Sequence, residues 1–135
     1  MEEILQVRFP GGKRVDAQIR DRLIPTDQSP EEGGEGSAPE PFQLFLASIA
    51  TCAGVYAKDF CDAREIPVDG MTLSMSGEYD TKKKRFVKFA LRLTLPEQFP
   101  EKYRKSIVRV MDLCSVKKLI VNAPEFEITA EPPSS

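Results

Sequence analysis

The 135-residue chain contains no histidine. That absence removes Ser-His-Asp and Cys-His nucleophile pairs and every zinc site that needs imidazole. Cysteine is scarce as well: Cys52, Cys61 and Cys114 lie 9 and 53 positions apart. Such gaps match no clustered metal-ligand spacing, so neither a metal nor another cofactor is expected. Neither sign of charge is in excess. A formal net charge of −2 and an isoelectric point near 5.3 give no reason to expect nucleic acid or an anionic membrane as partner. The one basic run, Lys82-Lys83-Lys84-Arg85, reads as a solvated turn between strands. The longest apolar run, residues 42–57, falls short of the roughly 20 residues of a membrane span. The first nine residues lack the apolar centre of a secretory signal. The expected location is therefore cytoplasmic, where three cysteines are inert core residues or redox-active thiols rather than structural bridges. Any nucleophile must be activated by something other than imidazole.

What the chain does have is one dominant apolar stretch, Pro39 to Glu65, PEPFQLFLASIATCAGVYAKDFCDARE. It predicts a central helix starting near Pro39–Phe42, because proline is tolerated in a first helical turn. Apolar or small residues fill nearly every position from Phe42 to Ala57, and a helix apolar all round is buried all round. A single domain over residues 1–135 rarely encloses such a helix alone, so a second subunit is expected to complete the burial. At 100° per residue, the nine steps from Cys52 to Cys61 amount to 900°, which sets the two about 180° apart. They face opposite sides, and Cys61 reads as a small core hydrophobe.

Before this stretch, residues 3–9 alternate, Pro10-Gly11-Gly12 signals a turn, and Val15, Ala17 and Ile19 resume the alternation. A hairpin follows, with a third short strand over residues 22–25. Residues 26–39, TDQSPEEGGEGSAP, carry four acids, three glycines and no large apolar side chain, and read as a flexible loop. After the helix come two long strands, 68–79 and 85–95, with a slip near Lys88. A helix over 101–113 is followed by a short helical piece after Cys114, which Pro124 closes, and residues 125–130 alternate as a terminal strand. The order predicts an α+β architecture with helices packed on antiparallel sheet.

Three features carry a resemblance. The segment GGEGSAPEPFQLFLASIATC is similar to a loop-to-helix entry in which a glycine, a proline and a leucine precede a helical cysteine at fixed spacing. The segment LCSVKKLI is similar to a C-P-V-S-x-x-L motif, and the element order matches over nearly the whole chain. Together they resemble the OsmC/Ohr family of osmotically inducible and organic hydroperoxide resistance proteins. The resemblance implies an OsmC-like fold, antiparallel sheets around a long buried central helix, in an intertwined homodimer. It also implies a thiol peroxidase cycle. Cys52 would be the peroxidatic residue, oxidised by a hydroperoxide to a sulfenic acid, and Cys114 the resolving one. The Cys52–Cys114 disulfide would then be reduced by an external dithiol.

Peroxidatic chemistry needs a thiolate, and a free thiol titrates near ~8.5. Cys52 lies too deep in its own helix to feel the N-terminal dipole. An arginine, Arg22 or Arg20, is therefore expected to activate it, since guanidinium stays charged when desolvated. Branches of the family clamp that arginine with a carboxylate near the helix start. This chain has Phe42 and Gln43 there, so Gln43 would orient the arginine by a hydrogen bond. Ser115 stands in place of the proline after the second cysteine. The alternative reading is a catalytically weak OsmC-like dimer that binds an apolar small molecule at Phe42, Phe45 and Tyr56, or a redox sensor.

Overall fold

Alternation at the N-terminus becomes two antiparallel strands, β1 (Gln6–Gly11) and β2 (Arg14–Ile19). They turn through Gly12-Lys13, where Gly12 takes φ 57, a conformation that glycine adopts without steric penalty. A tight turn at Arg20-Asp21 leads into β3 (Arg22–Ile24), which pairs with β2 to give the order β1-β2-β3. On β2, the buried Asp16 holds Arg14 at 2.7 Å. The computed structural model describes residues 1–134. It comprises two units, Met1–Ser48 and a second that begins at Ile49.

The acid- and glycine-rich segment 26–39 is not the flexible loop that its composition suggests. It folds around one carboxylate, Asp27, which is only 1% exposed. Asp27 accepts hydrogen bonds from the Gln28 N–H at 2.8 Å, the Glu35 N–H at 3.3 Å, the Ser37 N–H at 3.0 Å and the Ser37 hydroxyl at 2.6 Å. A 3-10 turn at Pro30–Glu32 and backbone bonds from Gly34 to Ser29 and from Gly36 to Gln28, both 2.9 Å, complete the fold of the loop. Gly34 is obligatory there, because a Cβ would sit 2.1 Å from the Gln28 carbonyl oxygen. The Ser37 hydroxyl, then the backbone donors, hold the Asp27 carboxyl down to about 2 from its ordinary 3.8.

A depressed carboxyl stabilises the folded loop in full above pH 3.8 and loses that contribution as pH falls toward about 2. Acidification through this window is therefore expected to release the Glu35 and Ser37 amides. Their resonances, followed by NMR, should move together in the wild type and show no such step in Asp27→Asn.

Helix α1 runs from Pro41 to Ala63. Its start is fixed by Gln43, whose side-chain oxygen accepts the Glu40 N–H at 3.0 Å, the reciprocal half of a capping box. Burial follows one stripe of α1, at Ile49, Ala53, Ala57, Phe60 and Cys61, the i, i+4 spacing of a single helical face. Within the single chain the burial is one-sided: Phe42, Phe45 and Val55 are 52%, 40% and 56% exposed. Apolar composition records what a helix can cover, not that the same chain covers it. At 23 residues α1 also outruns the 42–57 stretch and is long and apolar enough to cross a membrane. A core helix meets the same measure, and the second half of α1 supplies four core residues.

In the second unit, β4 (Thr72–Asp80) and β5 (Arg85–Thr94) form an antiparallel pair. Asp80 closes their turn by accepting the Lys82 and Lys83 N–H groups, each at 2.9 Å, so the basic run is a turn, as expected. The register passes from Glu78↔Lys88 to Tyr79↔Phe86, which leaves Val87 as a bulge beside the expected slip. A 3-10 turn, Glu101–Tyr103, leads into α2 (Arg104–Met111), and α3 spans Ser115–Val121. Ile107 and Met111 of α2 meet Ala53, Ala57, Phe60 and Cys61 of α1, with Leu73, Leu91 and Leu93 of the sheet against them. Among the described residues, two antiparallel sheets and three α-helices make the fold α+β.

The terminal strand expected over 125–130 is absent. Those residues belong to no element, and Phe126 and Ile128 are 84% and 92% exposed. Alternation marks a segment able to pair, but a strand needs an edge to pair with. Among the described residues no strand pairs with it.

Candidate functional site

Cys52 sits in the middle of α1, half-buried, one residue before the core position Ala53. Cys114 reaches it from the far end of the second unit. Helix α2 ends as its last turn tightens, with the Leu113 N–H on the Val110 carbonyl at 3.1 Å and the Cys114 N–H on that of Met111 at 3.2 Å. Such i→i+3 bonds are a common helix ending. Cys114 then turns extended, at φ −48 and ψ 128, and becomes the residue that caps α3. Its carbonyl accepts the Lys118 N–H, while the N–H groups of the residues just after it have no acceptor within α3.

The sulfur of Cys52 lies against this corner. Its Sγ is 3.6 Å from the Ser115 Oγ. The Cys114 thiol and the backbone N–H groups of Val116 and Ser115 also donate to it. A thiolate is stabilised by each donor. The Cys114 thiol contributes most, and together they outweigh burial and bring Cys52 down to about 7 from 9.0. Cys114 moves the other way. It is 2% exposed, and burial, followed by its hydrogen bond to Cys52, pushes its thiol up. One sulfur is thus prepared as anion and the other as the proton-bearing neighbour. All three cysteines are free thiols.

The structure therefore brings together two of the residues singled out from the sequence, Cys52 and Cys114. Arg20, Arg22 and Gln43 lie in the first unit. Arg20 occupies the β2–β3 turn at φ 54, with its carbonyl accepting from Gln18, and Arg22 opens β3; both are exposed. Gln43 is engaged in capping α1. Cys61 is fully enclosed in the core, where burial raises its thiol. Sequence reasoning looked for a cation beside Cys52 and did not foresee the hydrogen-bond donors at the start of α3. The available signal was Ser115, a hydroxyl and an N–H directly after the second cysteine. Among the described residues, no group of three or more His, Cys, Asp or Glu side chains is arranged to hold a metal.

Residues 34–129 match the model of one protein family, described as OsmC-like protein. Solved structures share the fold. A protein assigned to osmotic stress and detoxification in Psychrobacter arcticus is 22% identical, with a TM-score of 0.72 over 87% of this chain and 88% of that one. An organic hydroperoxide resistance protein, OsmC, from Legionella pneumophila is also 22% identical, with a TM-score of 0.58 over 86% and 88%. An OsmC-like protein from Mycoplasma pneumoniae is 15% identical, with a TM-score of 0.66 over 91% of each chain. No protein of curated function matches the chain.

Proposed function

The chain belongs to the OsmC-like protein family, and on that premise we propose that it reduces hydroperoxides by a two-cysteine cycle centred on Cys52. The observation that carries the reading is the contact between Cys52, favoured as thiolate, and Cys114, held as thiol. The function carried by the name of the Legionella pneumophila relative agrees with it.

In the first step the Cys52 thiolate attacks one oxygen of the hydroperoxide. The O–O bond breaks, Cys52 becomes a sulfenic acid, and the alkoxide leaves as an alcohol after taking a proton. In the second, the Cys114 sulfur displaces the sulfenic oxygen, which departs as water with the thiol proton, and a Cys52–Cys114 disulfide remains. An external dithiol then returns both cysteines to thiols and is itself oxidised. The proposed assembly is a homodimer in the cytoplasm. Arg22 or Arg20 would add a cation to the assembled site, and Gln43 could orient it only by giving up its bond to the Glu40 N–H.

Organic hydroperoxide added to reduced protein is expected to consume two thiols per chain and to yield a Cys52–Cys114 disulfide by peptide mass spectrometry. The rate should rise with pH through a midpoint near 7, where Cys52 ionises. Three thiols surviving excess hydroperoxide would overturn the reading. A second reading, binding of an apolar small molecule, is favoured by the exposed Phe42 and Phe45, whose rings pack with centroids 5.6 Å apart. It requires thermal stabilisation by an apolar ligand that persists in Cys52→Ser.

A further inference from the structure

We propose that Ser115 is a catalytic residue of this site, its hydroxyl donating to the Cys52 sulfur throughout the cycle. The assignment rests on the thiolate role given to Cys52 above. Its geometry is direct: the Ser115 Oγ is 3.6 Å from the Cys52 Sγ, within the range of a hydrogen bond to sulfur. When Cys52 is anionic only the hydroxyl can donate, and a hydrogen bond to a charged group is about twice as strong as a neutral one.

Two kinds of donor reach Cys52, and they do not last equally. Cys114 is consumed by the chemistry. Its proton leaves when its sulfur attacks the sulfenic acid, and in the disulfide it has none to give. Ser115 has no redox chemistry and keeps its proton in every state. It is the side-chain donor that persists when Cys52 departs as a leaving thiolate during reduction of the disulfide. The backbone N–H groups of Ser115 and Val116 act beside it. The titratable group facing Cys52 is Cys114, and the charge nearest in sequence on α3, Lys117, is paired with Asp112.

The test measures alkylation of Cys52 by iodoacetamide against pH, read on the Cys52 peptide by mass spectrometry, with no hydroperoxide present. Ser115→Ala is expected to raise the midpoint by about one unit, which lowers the rate at pH 7 about fivefold. Ser115→Thr, which keeps a hydroxyl, is expected to hold the wild-type midpoint. Hydroperoxide reduction by Ser115→Ala should fall by the same factor at pH 7 and recover at pH 9. An alanine variant that titrates like wild type overturns the proposal. If that variant does not fold, Ser115→Gly poses the same question, since it also lacks the hydroxyl and keeps both N–H groups. The alkylation arm involves no peroxide, so a protein inert to hydroperoxides that still shows the midpoint shift would sink the peroxidase reading, and the catalytic role with it, and leave Ser115 standing only as the donor to Cys52.

Discussion

Cys52→Ser is expected to bring hydroperoxide turnover down to the uncatalysed rate, a loss of at least about a thousandfold, as for removal of the nucleophile in other covalent catalysts. A serine hydroxyl cannot be oxidised to a sulfenic acid, and the donors at the Cys114 corner cannot ionise it near neutral pH. Cys114→Ser should behave differently. It keeps the nucleophile and three of the four donors, so the first turnover proceeds, but the sulfenic acid at Cys52 has no partner and accumulates. A dimedone adduct on Cys52 in Cys114→Ser, and none in Cys52→Ser, is the expected signature. The reverse pattern would exchange the two roles. Burial argues against that exchange, since Cys114 is 2% exposed and raised in pKa while Cys52 is half-buried and lowered.

Phe60→Ala is expected to destabilise the protein by about 3–5 kcal/mol, the usual range for deleting a buried aromatic ring. Phe60 is 4% exposed and holds α1 to the segment that leads into α2. Its ring meets Tyr103 edge-on at 5.7 Å and Phe99 at 6.5 Å. The Arg64 guanidinium covers its face at 3.6 Å from the centroid, a cation–π contact that alanine also removes. Against a total stability of roughly 5–15 kcal/mol for an ordinary domain, such a loss approaches the limit of folding. Urea unfolding monitored by circular dichroism measures it. A cost below about 1 kcal/mol would mean that this core closes around the missing ring.

Much of this was readable before any coordinates. Periodicity located α1, the β4–β5 pair and the slip beside Lys88, because each is written into a contiguous pattern of apolar residues. The separation of Cys52 from Cys61 followed from helical pitch alone. What escaped the sequence depends on contacts that composition does not encode. Residues 26–39 have a disordered composition, yet the loop is ordered because Asp27 collects donors from positions one to ten residues ahead. The alternation of 125–130 carries no record of whether an edge is present. The exposed Phe42 and Val55 look the same in sequence as the buried Ile49. The donors at Cys52 depend on where α3 begins, a boundary that a one-residue shift would have moved away from the sulfur.

Cys61 sits at 0% exposure in the second unit, on the face of α1 that packs against Ile107 and Met111. That placement makes it a native reporter. A thiol probe can label it only during moments when the helices part, so its labelling rate in the otherwise intact protein records how often they do so. Stability of this half of the molecule can thus be followed under working conditions, without denaturant or an added dye, by the one cysteine that takes no part in the proposed chemistry.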